Sequence, residues 1–300
     1  MTQQQTRLPA LETLGLPPVE VRRIVDAALT EDLGWGDVTT DNLVPEGATA
    51  RAAVAYRSGG IVCGSQILAE VFRSIDQRIE VDILIPDGQR VQPGGVAAVV
   101  RGPARAILKG ERVALNFVQR MAAIATATAR FVEEVGDLPT HVIDTRKTTP
   151  GLRILERYAV RIGGGRNHRF NLSDGVLVKD NHLVALRNQG IGTTEALRLL
   201  RDRVPHTIRV QVEVDRLDQI PEVLAGGVDA ILFDNMTPEQ VREAVRLVAG
   251  RAVTEVSGGV RLETVRAYAE AGVNVVSSGA LTHSTPALDV ALDFELDAAG

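Results

Sequence analysis

Beyond residue 139 the chain repeats one unit, a short β-branched run followed in most cases by an amphipathic helical segment. The runs occupy residues 140–143, 175–178, 208–214, 230–233, 253–256 and 273–276. Parallel neighbours need a long crossover, and a helix supplies one, so the alternation predicts a parallel sheet. Six units in about 150 residues point to a closed or nearly closed α/β barrel rather than an open sheet.

The first hundred residues read differently. Val21, Ile24, Val25, Ala28 and Leu29 fall at helical spacing, predicting an amphipathic helix that stops at Gly34. Strand-like runs follow at residues 51–57, 79–84 and 96–100, with a helical stretch at 66–75 and turns at Pro86-Asp87-Gly88 and Pro93-Gly94-Gly95. This mixture suggests an α+β domain. Residues 104–135 contain no proline and only Gly110, so one long or two consecutive helices are expected. The alternating segment 288–294 is expected to return as a strand to the first domain.

Charge and cysteine content exclude several classes. Lys and Arg number 33 against 38 Asp and Glu, which gives no basic field for nucleic acid, so any phosphate must be bound locally. No apolar stretch approaches a membrane span, and Met1 to Thr6 does not read as a signal peptide, so a cytoplasmic protein is expected. Cys63 stands alone in an apolar run, which predicts a buried structural thiol. Neither a dinucleotide fingerprint nor a Walker phosphate loop is found.

In an α/β barrel the reactive groups lie at the carboxyl ends of the strands. Here those ends read Asp144-Thr145-Arg146-Lys147, Lys179-Asp180-Asn181-His182, Glu213-Val214-Asp215, Asp234-Asn235, Ser257-Gly258-Gly259 and Ser277-Ser278-Gly279. Any one of these could be an ordinary charged loop; six converging on one rim are harder to explain that way. Arg146, Lys147, His168, Arg169 and Lys179 form a cationic set suited to a polyanion. Glu213 and Asp234 are hard oxygen donors of the kind Mg²⁺ uses together with substrate phosphates, although two structural carboxylates would look the same. Ser257, Gly258 and Gly259, with Ser278, Gly279 and Ala280, offer backbone N–H groups after late strands, where barrels commonly hold a phosphate. Asp37-Val38-Thr39-Thr40 reads as a cap or turn.

The sequence also carries DTRKTTPG from Asp144, YAVRIGGGRNHR from Tyr158, LVKDNH from Leu177, EVD from Glu213 and GALTHS from Gly279, with EDLGWGDVTT from Glu31 and ERVALN from Glu111. In this order and spacing it resembles quinolinate phosphoribosyltransferase, also called carboxylating nicotinate-nucleotide pyrophosphorylase, over nearly its whole length. That resemblance implies an α/β fold: an incomplete, seven-stranded barrel over residues 121–285 and an N-terminal α+β open-faced sandwich over 1–120, joined by the tail 286–300. It implies transfer of phosphoribosyl from phosphoribosyl pyrophosphate to quinolinate with loss of CO2, giving nicotinate mononucleotide and pyrophosphate. It further implies a homodimer with shared active sites, or a higher oligomer. By motif position Arg112 (from the partner subunit), Arg146, His168, Arg169 and Lys179 would hold the quinolinate carboxylates, and Lys147 would contact phosphoribosyl pyrophosphate. Glu213 and Asp234 would serve ribose and Mg²⁺-pyrophosphate, and the residues after the late strands would cradle the 5′-phosphate. An aliphatic residue is expected where Ser278 stands.

Other readings compete. A nicotinate enzyme needs fewer cations, an aldolase would use Lys147 or Lys179 as a Schiff base, and a phosphate sensor would release no pyrophosphate.

Overall fold

The structure is a computed structural model and describes residues 9–188 and 190–296. The expectation for Met1 to Thr6, and residues 297–300 of the tail, lie outside the described residues. The chain divides into two compact units. One comprises the chain to Ala129, Thr149–Gly164 and the chain from Thr285; the other comprises Arg130–Thr148 and Gly165–Ser284. No described helix is long and apolar enough to cross a membrane.

The first unit is built on an antiparallel sheet. Its strands are β1 (Thr49–Tyr56), β2 (Gly60–Ile61), β3 (Glu80–Ile83), β4 (Arg90–Val91) and β5 (Val96–Pro103), with β12 (Val290–Leu296) returning from the far end of the chain. The order β12-β1-β5-β3 forms the main sheet, and β2 pairs with β4. Its helices are α1 (Pro18–Leu33), α2 (Val38–Leu43), α3 (Ser65–Ile75) and α5 (Arg153–Ile162), together with most of α4 (Ala104–Val135). The amphipathic stripe read from the sequence is the buried face of α1, where Val21, Ile24, Val25 and Leu29 are enclosed. The cap read at Asp37 is also present: its carboxylate accepts the N–H groups of Thr39 and Thr40 at the start of α2, and the Thr40 hydrogen bonds hold it below its ordinary value. Residues 104–135 form one helix. Gly110 is tolerated because Phe72 and Ile75 pack where its side chain would be, a Cβ there lying 2.8 Å from a Phe72 ring carbon.

Cys63 has no exposed surface. Burial first, and the Asp87 charge second, push its thiol well above the ordinary value, so it is a poor nucleophile as well as an inaccessible one. The native protein is expected to leave a thiol reagent such as DTNB unreacted and to consume one equivalent on unfolding; stoichiometric labelling of folded protein would refute this.

The second unit is a parallel sheet of β6 (His141–Ile143), β7 (Val176–Val178), β8 (Val210–Val214), β9 (Ala230–Asp234), β10 (Val253–Ser257) and β11 (Val275–Ser277), in the order β6-β11-β10-β9-β8-β7. Its helices are α6 (Asp180–Arg187), α7 (Thr193–Arg203), α8 (Ile220–Ala225), α9 (Pro238–Val248), α10 (Leu262–Glu270) and α11 (Ala280–His283). The barrel is incomplete, as expected, but the implied seventh strand is absent from the described residues. The chain near the gap contributes one bridge, Ile143 to Arg166. Side chains there take backbone N–H groups that a ladder would need: Asp174 accepts from Phe170, and Asn171 accepts from Ser173.

Pleat parity separates two environments. Val142, Val210, Val212, Val214, Ile231, Phe233, Val256 and Val276 are all buried in one apolar cluster with residues of the covering helices. The alternate positions, Gln211, Glu213, Ala230, Leu232, Asp234, Glu255, Ser257, Val275 and Ser277, line cavities. Stability in this unit therefore rests on the sheet–helix layer. The interior sets polar and charged side chains beside Ile143, Val176, Leu177, Leu232 and Val275 around two cavities.

Candidate active site

A cavity of about 280 Å³ lies at the carboxyl ends of the strands, lined by Thr145, Arg146, Lys147, His168, Arg169, Leu177, Lys179, Glu213, Leu232, Asp234, Glu255, Ser257 and Ser277. The structure thus brings Arg146, Lys147, His168, Arg169, Lys179, Glu213, Asp234 and Ser257 together. It does not bring Arg112, Gly258, Gly259, Ser278, Gly279 or Ala280 to the lining. Arg112 lies on α4 in the first unit, exposed.

Each wall follows from strand order. β7 and β8 are paired with Val178 opposite Val212, so the residues just beyond meet. Lys179 Nζ lies 2.5 Å from Glu213 Oε2. Asp234 ends β9, and its Oδ2 accepts a hydrogen bond from Asn235 Nδ2 at 2.8 Å. After β6, Asp144 is fully buried; it accepts the His168 backbone N–H at 2.8 Å and Asn167 Nδ2 at 2.6 Å, holding segment 166–169 against the sheet. Lys147 O accepts the Thr282 hydroxyl at 2.7 Å, tying the first loop to α11.

The cations are held close to one another. Arg146 Nε is buried without a hydrogen-bond partner. The Arg169 guanidinium donates to Gly175 O at 2.7 Å. It is held below the ordinary arginine value first by burial and then by the Arg146 charge, with Asp174 acting the other way. Two guanidinium groups sharing one wall repel each other unless an anion lies between them. His168 Nδ1 accepts the Arg169 N–H at 2.6 Å, and Nε2 lies 3.7 Å from Glu255 Oε1.

The turn after β10 requires glycine. Gly258 has φ +85°, and a Cβ there would lie 2.2 Å from Asn235 Oδ1. Ser278 is buried, and its hydroxyl donates to Val260 O at 3.1 Å. A Cβ on Gly279 would meet Lys147 and His283 side-chain atoms at 2.9 Å.

Sequence reasoning passed over Glu255, Gln211 and the supporting role of Asp144. The signal was available for the first two: in Val-Thr-Glu-Val-Ser, Glu255 shares parity with Ser257, and in Val-Gln-Val-Glu-Val, Gln211 shares parity with Glu213. A second cavity, of about 560 Å³, opens at the amino ends of the strands, lined among others by His141, Arg166, Thr207, Arg209 and Gln211. It shares His168, Arg169 and Glu255 with the first. Burial first, and the Arg166 charge second, hold His141 below the ordinary histidine value.

Glu213 and Asp234 together make no closed protein cage. Among the described residues no group of three or more His, Cys, Asp or Glu could hold a metal ion. Two carboxylates in a cavity rich in cations do fit Mg²⁺, which takes most of its ligands from water and substrate oxygens.

Comparison with known proteins agrees with this architecture. The family described as quinolinate phosphoribosyl transferase matches residues 37–122 with its N-terminal domain and 124–293 with its C-terminal domain. The probable nicotinate-nucleotide pyrophosphorylase (carboxylating) of Bacillus subtilis is 40% identical over 278 residues, 93% of this chain and 94% of that protein. The nicotinate-nucleotide pyrophosphorylase (carboxylating) of Mycobacterium leprae is 40% identical over 91% of this chain and 96% of its own. The crystal structure of NadC from Streptococcus pyogenes superposes with a TM-score of 0.89 at 37% identity, covering 94% of this chain and 99% of that one. With both halves matched in order and the relatives aligned almost end to end, the chain belongs to the quinolinate phosphoribosyltransferase family.

Proposed function

We propose that this chain catalyses the reaction its relatives are named for: transfer of phosphoribosyl to quinolinate with decarboxylation, a step of de novo NAD biosynthesis. The observation that carries this reading is the single cavity in which Arg146, Lys147, His168, Arg169 and Lys179 face Glu213 and Asp234. Arg146, Arg169 and Lys179 would grip the two carboxylates of a flat ring, with His168 beside them, and Lys147 would contact phosphoribosyl pyrophosphate. Glu213 and Asp234 would stabilise positive charge at the ribose as pyrophosphate departs, as carboxylates do in glycoside cleavage. They would also hold Mg²⁺, which when bound supplies charge neutralisation to the leaving diphosphate. Ser257 with Gly258 and Gly259, and Ser278 with Gly279 and Ala280, would receive the 5′-phosphate. The pyridine nitrogen attacks, and the cationic ring nitrogen of the adduct favours loss of the neighbouring carboxylate as CO2. A Schiff-base role for Lys179 is disfavoured by its ion pair with Glu213, because a paired ammonium is not a nucleophile.

Arg112, exposed on α4 and not among the lining residues, fits a homodimer in which it serves the partner's site. Trp35, Val38 and Leu43 add large apolar side chains that the first unit leaves exposed. A cytoplasmic location belongs to the same reading.

Incubating the protein with quinolinate, phosphoribosyl pyrophosphate and Mg²⁺ is expected to yield nicotinate mononucleotide, pyrophosphate and CO2 in equal amounts. Turnover is expected to stop on chelation and to be far slower with nicotinate. Absence of product with quinolinate, or equal turnover of nicotinate, would overturn the proposal.

A further inference from the structure

One charged group in the cavity has no place in that scheme. Glu255 sits midway along β10, 5% exposed, where the upper and lower cavities meet. Its Oε2 accepts a hydrogen bond from Gln211 Nε2 at 2.8 Å. Its Oε1 is buried and has no hydrogen-bond partner. His168 Nε2 stands 3.7 Å away, too far for a hydrogen bond, and because His168 Nδ1 accepts the Arg169 amide, the ring proton lies on Nε2, on the Glu255 side. A carboxylate oxygen buried without a partner is expensive, and such groups concentrate where chemistry is done.

A dianionic ring gripped by Arg146, Arg169 and Lys179 would bring its own carboxylates to this floor. A carboxylate set beside Glu255 there is best accommodated with one proton between the two. Resting on the family reaction proposed above, we propose that Glu255 is the acid that protonates the ring carbon vacated by carbon dioxide. In the ribosylated dicarboxylate the bond from C2 to its carboxylate breaks. The carboxylate carbon leaves as CO2, and the electron pair stays on C2 beside the cationic nitrogen. The Oε1–H bond of Glu255 then breaks as the C2 pair forms the new C–H bond, leaving Glu255 as carboxylate. No oxidant or reductant enters, and the ring ends as nicotinate. Without an acid in place, CO2 recombines with the carbanion; the acid therefore controls net loss of CO2 rather than ribosyl transfer. The lower cavity gives Glu255 a route to solvent protons while substrates fill the upper mouth.

Separating the two half-reactions tests this. In a single turnover with quinolinate labelled at the 2-carboxylate, pyrophosphate and CO2 are measured in the same quench. Glu255→Gln preserves volume and the Gln211 hydrogen bond. It is expected to release pyrophosphate within about threefold of wild type while CO2 release slows by about a hundredfold, the scale of a lost general acid, and the dicarboxylate nucleotide accumulates. Glu255→Asp, still an acid, is expected to lose less. A parallel fall in both products, or unchanged CO2 release, would overturn the assignment. Should the glutamine variant fail to fold, wild-type enzyme in heavy water decides: slower CO2 release with unchanged pyrophosphate release supports the proposal, and equal behaviour of the two sinks it. Failure of wild type to release pyrophosphate at all would instead refute the family reaction.

Discussion

Replacing Arg146 with alanine is expected to weaken quinolinate binding by about 2 to 5 kcal/mol, roughly thirtyfold or more in affinity, with a much smaller effect on phosphoribosyl pyrophosphate. Arg146 Nε is a buried donor with no protein acceptor, and the guanidinium repels its neighbour Arg169 in the free protein. Removing it costs the unliganded fold nothing in this interaction and relieves a like-charge contact; the loss appears only when an anion arrives. A melting temperature at or above that of wild type should therefore accompany the loss of affinity. Arg146→Lys keeps the charge without the planar fork and should fall between the two. Titration calorimetry with quinolinate decides the matter, and unchanged affinity in the alanine variant would remove Arg146 from the carboxylate-binding set.

A comparably large effect, on folding rather than binding, is expected from Arg120→Ala. Glu156 on α5 is 1% exposed. Its Oε1 accepts from Arg120 Nη2 at 2.8 Å, from Arg120 Nε at 3.1 Å and from the Thr149 hydroxyl at 2.7 Å, and its Oε2 accepts the Thr149 N–H at 3.1 Å. Arg120 Nη1 also donates to Thr285 O at 3.1 Å, so one guanidinium links α4, α5 and the start of the tail. Removing it strands a buried carboxylate, which costs about 3 to 5 kcal/mol. Glu156→Ala should cost less, because the Arg120 side chain keeps a quarter of its surface exposed and can turn to water. Urea unfolding of the two single variants checks the order; equal losses would show that the pair's Coulomb attraction, not stranded charge, sets the stability.

Much of this architecture is legible in the residues, because β-branched runs at strand length and helices between them leave few alternatives to a parallel sheet. The strand ends are legible too, since topology sends them all to one rim. Features that depend on register are harder to read. The meeting of Lys179 with Glu213 requires Val178 to lie opposite Val212, and nothing local to either residue announces it. Glu255 stands between Thr254 and Val256 in the middle of a short strand, and only parity with Ser257 shows which way it points. Residues 149–164 cluster with the first unit although they lie between two strands of the second, because Leu155, Tyr158, Ala159 and Val160 find their apolar partners in the first unit's core. The pattern within α5 shows that it has an apolar face but cannot say which core receives it.

The pairing of β12 with β1, from Ala50 opposite Leu296 to Tyr56 opposite Val290, bears on how the molecule is made. A ribosome delivers β1 long before β12, which comes only after the whole of the second unit has been made. Until then one side of β1 presents unpaired amides, an invitation to mispairing between nascent chains. The alanines of β1 at positions 50, 52, 53 and 55 make that waiting edge small and weakly apolar, a composition that tempers self-association during the delay.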